Sequence, residues 1–552
     1  MGNKEMYLIK MLHLNGVKGT AILLSILPLI SAGQTLGPAM TLRDGTLKGA
    51  TYDEVTAFDG TSGFTVWLDT RGEGFPPDDI YAQKVNADGS VVWTPNGLPV
   101  CTVDQAQFEM KLSPDGAGGL FVVWSDDRPS GWTAIYGQHI SSDGTIQWAQ
   151  DGIQLGANDN DQYQPNVHHI SGGEFYLTHG EERRVGFDRE YWLVVHRING
   201  AGQQLWEPAG FPALEGIRIM SSALDGEGGV VVFGRIREDK EGYRVQRVLS
   251  NQTLAWDNPV EILANLPNFS SSRRFFTYDG DGVGGILIAF YTEGTLRLVR
   301  VAGDGSMPWG PTGLLMSENI WNLELPSVVA DGSGGAHIAW IEDISPDRLR
   351  IQHVLPDGTF AWTAGGVELP GKSFVYFGEP WIAPDGSGGL FASYKTGSDI
   401  WAQQLNSNGQ TLWDDKGDSG LELMDGFEPK IGPGAFGPIV FIDSGSGLIS
   451  RVITNIPSAG LSVGNWSEIA IGWIYGLTID WGSSTYMGYV YVPNLPYIYQ
   501  VNLGWMYLSS SNRPEHILYD FDLGWILTNE DWGGYYYIYE SQTYGQFGEP
   551  QP

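Results

Sequence analysis

Four acidic residues occur at matching places in different copies of a sequence repeat. The four, Asp69, Asp126, Glu342 and Asp443, each end a short apolar run and begin a polar connection. Carboxylates that converge on one site attract positive charge, so this set predicts a site for a cation such as calcium or for a basic ligand. An acidic rim exposed to solvent is the alternative interpretation. The sequence indicates no other cofactor.

One of these connections is basic instead. It spans residues 180–190 and contains Arg183 and Arg184, with Arg189 shortly after them. A cluster of guanidinium groups predicts a contact point for a ligand or a protein partner. A loop whose charges pair with one another is the alternative.

A second kind of chemistry is indicated for residues 465–552, which are rich in tryptophan and tyrosine. The dipeptide Gly-Trp recurs there, accompanied by tyrosine-containing segments such as Tyr497-Ile498-Tyr499 and Ile517-Leu518-Tyr519. The candidate binding residues are Trp473, Trp505, Trp525, Tyr499, Tyr519 and Tyr537. Aromatic rings stack on sugar rings or enclose a quaternary ammonium group, so the segment predicts a binding module. A small module with an aromatic core is the alternative.

Motifs of catalysis are missing from the sequence. There is no HExxH, no phosphate-binding loop and no GxSxG elbow in an α/β context. His168 and His169, with His179, could bind a metal, but no second cluster with ligand spacing accompanies them. A glycoside hydrolase or lyase needs only two carboxylates, which separate repeats could supply. The identity of any bound metal stays open, and no catalytic residue is predicted.

An internal repeat of roughly 50 to 58 residues must position all of these groups, and such a period is typical of propellers or solenoids. One landmark is a DGxGG turn, which begins at Asp115, Asp225, Asp281, Asp331 and Asp385. The other is a tight turn followed by tryptophan, which gives Trp93, Trp148, Trp206, Trp256, Trp309, Trp362 and Trp413. Between the turns run short segments rich in β-forming residues.

Each repeat therefore predicts a four-stranded antiparallel meander, which is one blade of an all-β propeller. A last copy at 428–452 lacks its fourth strand, and Ala39 to Leu42 could supply it. We expect eight blades with a split last blade, and seven is the alternative. The tryptophan should wedge between blades, and a glutamine ten positions earlier, such as Gln83, should satisfy buried backbone groups between blades.

The phrase DGAGGLFVVWSDDR, followed by IYGQHISSDGTIQW, resembles a group of secreted bacterial repeat proteins with propeller architecture. The resemblance covers residues 40–452 and implies the fold and export, but it carries no substrate or catalytic residue. The aromatic segment resembles the GW-type choline- and glucan-binding repeats of cell-wall proteins. That second resemblance implies attachment to an envelope glycan or another surface polymer.

The composition limits where the protein acts. The net charge of −33 at pH 7 disfavours nucleic acid and anionic lipid as partners. Lysines before the apolar run 21–30 predict a signal peptide cleaved near Gly33 and Gln34. With the single Cys101 no internal disulfide can form.

The predicted domains are a signal peptide (1–33), the propeller (34–453), a linker (454–464) and the aromatic module (465–552). The sequence favours an exported, monomeric binding or adhesion protein at the cell surface, in the periplasm or outside the cell. It would have no membrane span, and its partner would be an envelope glycan, another surface polymer or a protein. A secreted polysaccharide-active hydrolase or lyase is the alternative.

Overall fold

The computed structural model describes residues 34–455, apart from several short segments, and the strands between 466 and 546. The segments left out are 37–38, 45–50, 72–78, 130, 157–159, 186–187, 208, 237–241, 263–275, 293, 319–324, 343–347, 370–379, 414–419, 436 and 445–446. The predicted signal peptide and most of the predicted linker lie outside the described residues. All regular elements described are strands. The described residues contain no helix that could span a membrane.

The chain starts with two short strands, β1 (Gln34–Leu36) and β2 (Met40–Arg43). Seven four-stranded antiparallel sheets follow, each made of consecutive strands. Blade 1 comprises β3 (Thr51–Phe58), β4 (Gly63–Asp69), β5 (Asp79–Val85) and β6 (Leu98–Cys101), and blade 2 comprises β7 (Gln107–Pro114), β8 (Leu120–Asp126), β9 (Ala134–Ile140) and β10 (Ile153–Gln154). Blade 3 comprises β11 (Asp161–His169), β12 (Phe175–Val185), β13 (Asp188–Ile198) and β14 (Phe211–Glu215), and blade 4 comprises β15 (Ile217–Leu224), β16 (Val230–Ile236), β17 (Tyr243–Val248) and β18 (Val260–Ile262).

Blades 5 to 7 repeat this pattern. They comprise β19 (Phe276–Gly280), β20 (Ile286–Thr292), β21 (Thr295–Val301), β22 (Leu314–Glu318); β23 (Ser327–Ala330), β24 (Ala336–Glu342), β25 (Arg348–Val354), β26 (Val367–Leu369); and β27 (Trp381–Pro384), β28 (Leu390–Thr396), β29 (Asp399–Leu405), β30 (Leu421–Asp425). The eighth blade contains β31 (Phe427–Gly432), β32 (Ile439–Asp443) and β33 (Leu448–Asn455).

The split last blade is confirmed, and eight blades are found rather than seven. The N-terminal strands β1 and β2 both pair with β33, with Gln34 opposite Asn455 and Met40 opposite Ser450. The first strand of each blade contacts the first strand of the next, including β31 with β3. The chain thus forms a closed β-propeller in which the first strands surround the axis.

The tryptophan after the tight turn joins neighbouring blades, as predicted. The indole N–H groups of Trp93, Trp148 and Trp362 donate to backbone carbonyls of Ser142, Gly200 and Ser407, at 3.2, 2.9 and 3.0 Å. Each acceptor lies in the tight turn of the following blade. Burial of the ring and this hydrogen bond together fix the angle between blades.

The aspartate of the DGxGG turn organises its own blade. In blade 2, Asp115 Oδ1 accepts the backbone N–H groups of Ala117 and Gly119, both at 2.7 Å. Its Oδ2 lies 3.0 Å from His139 Nε2 on the third strand. One carboxylate therefore closes the turn between the first two strands and ties it to the third.

The glutamines act within a blade rather than between blades, which corrects the prediction. Gln83 Nε2 donates to the Thr94 carbonyl at 2.9 Å, and its Oε1 accepts the Trp93 N–H at 2.9 Å. Thr94 and Trp93 belong to the connection leading to the fourth strand of the same blade. The Gln83 side-chain amide thus supplies hydrogen bonds to backbone groups that are not paired with a neighbouring strand.

The C-terminal strands form one nine-stranded antiparallel sheet in chain order. They are β34 (Trp466–Ala470), β35 (Trp473–Gly476), β36 (Tyr489–Asn494), β37 (Tyr497–Gln500), β38 (Gly504–Leu508), β39 (Glu515–Asp520), β40 (Gly524–Asn529), β41 (Tyr535–Ile538) and β42 (Thr543–Gln546). Consecutive pairing confirms that this segment consists of hairpins.

Candidate functional site

Asp69, the first of the predicted acidic residues, is fully buried at the end of β4. Its Oδ2 accepts Arg43 Nε at 3.2 Å and Trp67 Nε1 at 3.1 Å, and it also pairs with Arg71. Burial alone would raise the pKa of this carboxyl, but the hydrogen bonds from Arg71, Trp67 and Arg43 hold it below the ordinary value. Arginine therefore already occupies the place that a bound cation would take.

The same arrangement recurs at Asp126 in blade 2. Its Oδ2 accepts Trp124 Nε1 at 2.8 Å and Arg128 Nη2 at 2.7 Å. The Arg128 guanidinium carbon lies 4.0 Å from the centre of the Tyr136 ring, as that of Arg71 lies 3.9 Å from Tyr81. The spacing Trp-x-Asp-x-Arg in the sequence was the available signal for this cluster.

The remaining two acidic residues lie in blades 6 and 8. Glu342 accepts Arg350 Nε at 2.9 Å and Ser317 Oγ at 2.9 Å. Asp443 faces Phe427 in the ladder, as Ser125 faces Phe108 in blade 2, so it lies one register position before the other three acids. The four residues belong to four different blades. Within the described parts of the chain, no group of three or more His, Cys, Asp or Glu side chains could hold a metal ion.

The basic connection 180–190 contains the ends of two long strands, β12 and β13, with eleven residues each against at most eight in the middle strands of the other blades. Arg183 Nε bonds to Glu181 Oε1 at 2.6 Å, and its guanidinium lies 5.3 Å from the Trp192 ring centre. Arg189 pairs with Glu182. Arg184 is exposed and pairs in register with Arg189.

The three histidines proposed as metal ligands have different surroundings. His168 Nε2 lies 2.8 Å from Ser222 Oγ in blade 4. His179 Nε2 lies 2.9 Å from His196 Nε2, and the two rings are stacked and buried. His169 donates its backbone N–H to Ser113 Oγ in blade 2. The structure therefore does not gather them into one ligand set.

Sequence reasoning missed two acidic residues on first strands around the axis, Glu54 in blade 1 and Asp279 in blade 5. Burial raises the pKa of Glu54 to about 7, although Lys430 and the Thr65 hydroxyl act in the opposite direction. Burial also raises the pKa of Asp279 to about 6 against its bonds from the Ala330 and Gly280 N–H groups. Acid–base catalysts use carboxyl groups whose pKa lies near the pH at which they act.

The six aromatic candidates of the C-terminal sheet occupy one face of it. Trp473 is opposite Tyr491, Tyr491 opposite Tyr499, and Tyr499 opposite Trp505. Residues paired across a ladder, and residues two apart in a strand, share a face. Tyr507, two residues after Trp505, is opposite Tyr519, which is opposite Trp525. Leu527, two residues after Trp525, is opposite Tyr537, so these residues belong to the same face.

The opposite face has a different composition. Its register positions include Ile474, Val490, Ile498, Met506, Leu518, Ile526 and Ile538. The six aromatic candidates therefore share one face, together with the aliphatic Ile517 and Leu527.

No protein-family model matches the chain, and no curated protein matches it. Three similar solved structures are distant in sequence. They are the BP39L lectin from Burkholderia pseudomallei (13% identity, TM-score 0.39, 63% of this chain and 98% of the lectin), a PL25 ulvan lyase (11%, 0.35, 77% and 95%) and prolyl oligopeptidase B from Galerina marginata (10%, 0.37, 71% and 55%). These similarities assign no function to the chain.

Proposed function

We propose that the chain is an exported, non-catalytic binding protein that attaches to a surface glycan through its C-terminal sheet and presents the propeller as a recognition head. The observation that carries this proposal is the single aromatic face of that sheet. Six residues chosen from the sequence for their chemistry occupy it together. Tyrosine and tryptophan each combine an apolar ring, which can stack on the face of a sugar ring, with an O–H or N–H group that can form a hydrogen bond to a sugar hydroxyl. Aliphatic side chains lack such a polar group.

The spacing of the strands supports a linear polymer as the ligand. Adjacent strands lie about 4.8 Å apart, so a row of aromatic positions that crosses the strands repeats at that distance. This distance is close to the length of one pyranose residue. A polysaccharide running across the strands would therefore meet a new aromatic position at each sugar.

The test is retention of the full chain on insoluble polysaccharides and purified cell wall. The double substitution of Trp505→Ala and Trp525→Ala should weaken retention about tenfold or more, because each stacked ring contributes on the order of 1 kcal/mol. The matched control is Met506→Ala with Ile526→Ala, which changes the adjacent positions on the opposite face. An equal loss in both double variants, or no retention of the unmodified chain, would overturn the proposal.

A polysaccharide-active hydrolase or lyase is the second candidate. The raised pKa values of Glu54 and Asp279 favour it, since a carboxyl whose pKa lies near neutral pH can act as a general acid. Release of reducing ends or of unsaturated products from polysaccharides, abolished by Glu54→Gln or Asp279→Asn, would establish this function. Absence of any such product would leave binding as the activity.

A further inference from the structure

Blade 3 departs from the repeat at Trp192, within its long third strand. Trp192 faces Glu181, the last buried acid of the second strand. The corresponding residues in five other blades are Asp79, Ala134, Thr295, Arg348 and Asp399. None of these is aromatic, so Trp192 is not needed to build a blade. On a repetitive scaffold, positions that differ between repeats are the place to look for function.

Trp192 lines a groove of about 620 Å³ between blades 3 and 4. One wall is β14 of blade 3, with Glu215 at its end. The other wall contains Arg244 on β17, Glu261 on β18, and Asp257 and Asn258 just before β18. The volume falls within the range typical of small-molecule sites.

The indole is held in place by the long hairpin of blade 3. Trp192 Nε1 donates to Glu190 Oε2 at 3.2 Å, and the Arg183 guanidinium lies over the ring at 5.3 Å. Arg183 is itself fixed by Glu181 at 2.6 Å, and Glu181 is fully buried. Because the ring is already fixed before binding, less side-chain conformational entropy is lost when a ligand binds.

The polar groups of the groove suit hydroxyl groups. Arg244 Nε and Nη2 bond to Glu261 Oε1 at 3.3 and 3.2 Å, and Arg244 Nη1 donates to the Glu215 carbonyl at 3.3 Å. Asp257 and Asn258 are exposed, so they are accessible to a ligand. A carboxylate accepts hydrogen bonds, whereas an amide both donates and accepts them, as neighbouring sugar hydroxyls require.

The charge of the groove excludes acidic ligands. Three carboxylates, those of Glu215, Asp257 and Glu261, line it against the one guanidinium of Arg244. An anionic ligand would be repelled, and a purely apolar one would cover the exposed Asp257 and Asn258 without forming hydrogen bonds to them. We propose that this groove binds a neutral saccharide of one or two rings, with one ring face against Trp192 and hydroxyls on Arg244, Glu261 and Asn258. This site is independent of the C-terminal sheet.

The test uses the full chain carrying Trp505→Ala and Trp525→Ala, so that the C-terminal sheet does not contribute. Titration calorimetry would use neutral trisaccharides of glucose, mannose, galactose and N-acetylglucosamine as probes, with an oligogalacturonide and a lysine-rich peptide as charged probes. Saturable binding of at least one neutral probe is expected. Trp192→Ala should weaken it at least tenfold, whereas Trp192→Phe should largely retain it.

The chain offers a matched control for the arginine. Arg350 pairs in register with Glu368 in blade 6, as Arg244 pairs with Glu261 in blade 4. Arg350→Ala should leave saccharide affinity unchanged, and Arg244→Ala should lower it. Thermal unfolding of each variant separates lost binding from lost structure. Binding of only a charged probe, binding of none, or equal affinity in folded Trp192→Ala would overturn the proposal.

Discussion

Blades 2 and 3 share one topology but use different side chains at equivalent positions. In blade 2, the Trp124 indole donates to Asp126, and Gln138 bonds to the Ala149 carbonyl beyond the tight turn. In blade 3, His179 and His196 take the places of Trp124 and Gln138, and their Nε2 atoms lie 2.9 Å apart. A blade can therefore be built with either set.

What both blades retain is a buried acid with an arginine two residues later. Asp126 and Arg128 are joined at 2.7 Å, and Glu181 and Arg183 at 2.6 Å. Blade 3 adds Trp192, where blade 2 has Ala134. The shared pair belongs to the scaffold, and the departures around it mark the surface that blade 3 offers to a ligand.

The largest expected effect concerns the shared pair. Asp126→Ala should lower the free energy of unfolding by about 3–5 kcal/mol, because it leaves the Arg128 guanidinium without its carboxylate. Glu181→Ala should cost a similar amount if the pair serves the same purpose in blade 3. Urea denaturation measures both, and Asp127→Ala, at an exposed neighbouring acid, should change stability little. A small effect at Glu181 alone would restrict the scaffold role to blade 2.

The architecture could be predicted because it depends on local turn chemistry. Gly116 and Gly118 in a DGxGG turn have φ values of 74° and 81°, a region that favours glycine. The tight turn and its tryptophan then set the period, and the missing strand at the C-terminal end pointed to Ala39–Leu42. Register was less predictable: Asp443 faces Phe427 as Ser125 faces Phe108, one position before the other three acids, although both first strands carry a bulge after that phenylalanine.

Glu54, on the first strand of blade 1, could not be predicted because a bulge shifts the register beside it. Bulges interrupt the first strands of blades 1, 2 and 3, and Asp53, Glu109 and Gln164 there have φ values of 51°, 55° and 52°. Each bulge adds one residue and exchanges the two faces of the strand beyond it, so simple alternation fails. The groove beside Trp192 joins strands of two blades, and no local pattern indicates it.

A smaller effect is expected for two turn glycines with different surroundings, Gly144 in the turn after the third strand of blade 2 and Gly172 in the turn after the first strand of blade 3. Gly144 in blade 2 has φ 87°, and an added Cβ would lie 2.8 Å from Trp93 Cδ1. Gly144→Ala should cost about 2–4 kcal/mol, because backbone strain and a clash with a buried ring add up. Gly172 in blade 3 has φ 64° and nothing within 4 Å, so Gly172→Ala should show the strain alone, about 1 kcal/mol. Equal losses in thermal or urea unfolding would show that the Trp93 ring of blade 1 can move aside.

The smallest effect concerns the histidine pair and depends on pH. Burial lowers the pKa of His196 to about 3, assisted by His179, whose own pKa burial also lowers. Both pKa values are depressed in the folded state, so the unfolded chain takes up more protons as pH falls below about 6.5. The stability that the neutral pair provides is therefore complete above that pH and declines toward pH 3. His196→Gln, which installs the residue found in blade 2, should reduce the loss between pH 7 and pH 5.5 by about 1 kcal/mol. Urea denaturation at both pH values measures this difference, and parallel declines in the two proteins would mean that His196 is not the group that takes up the proton.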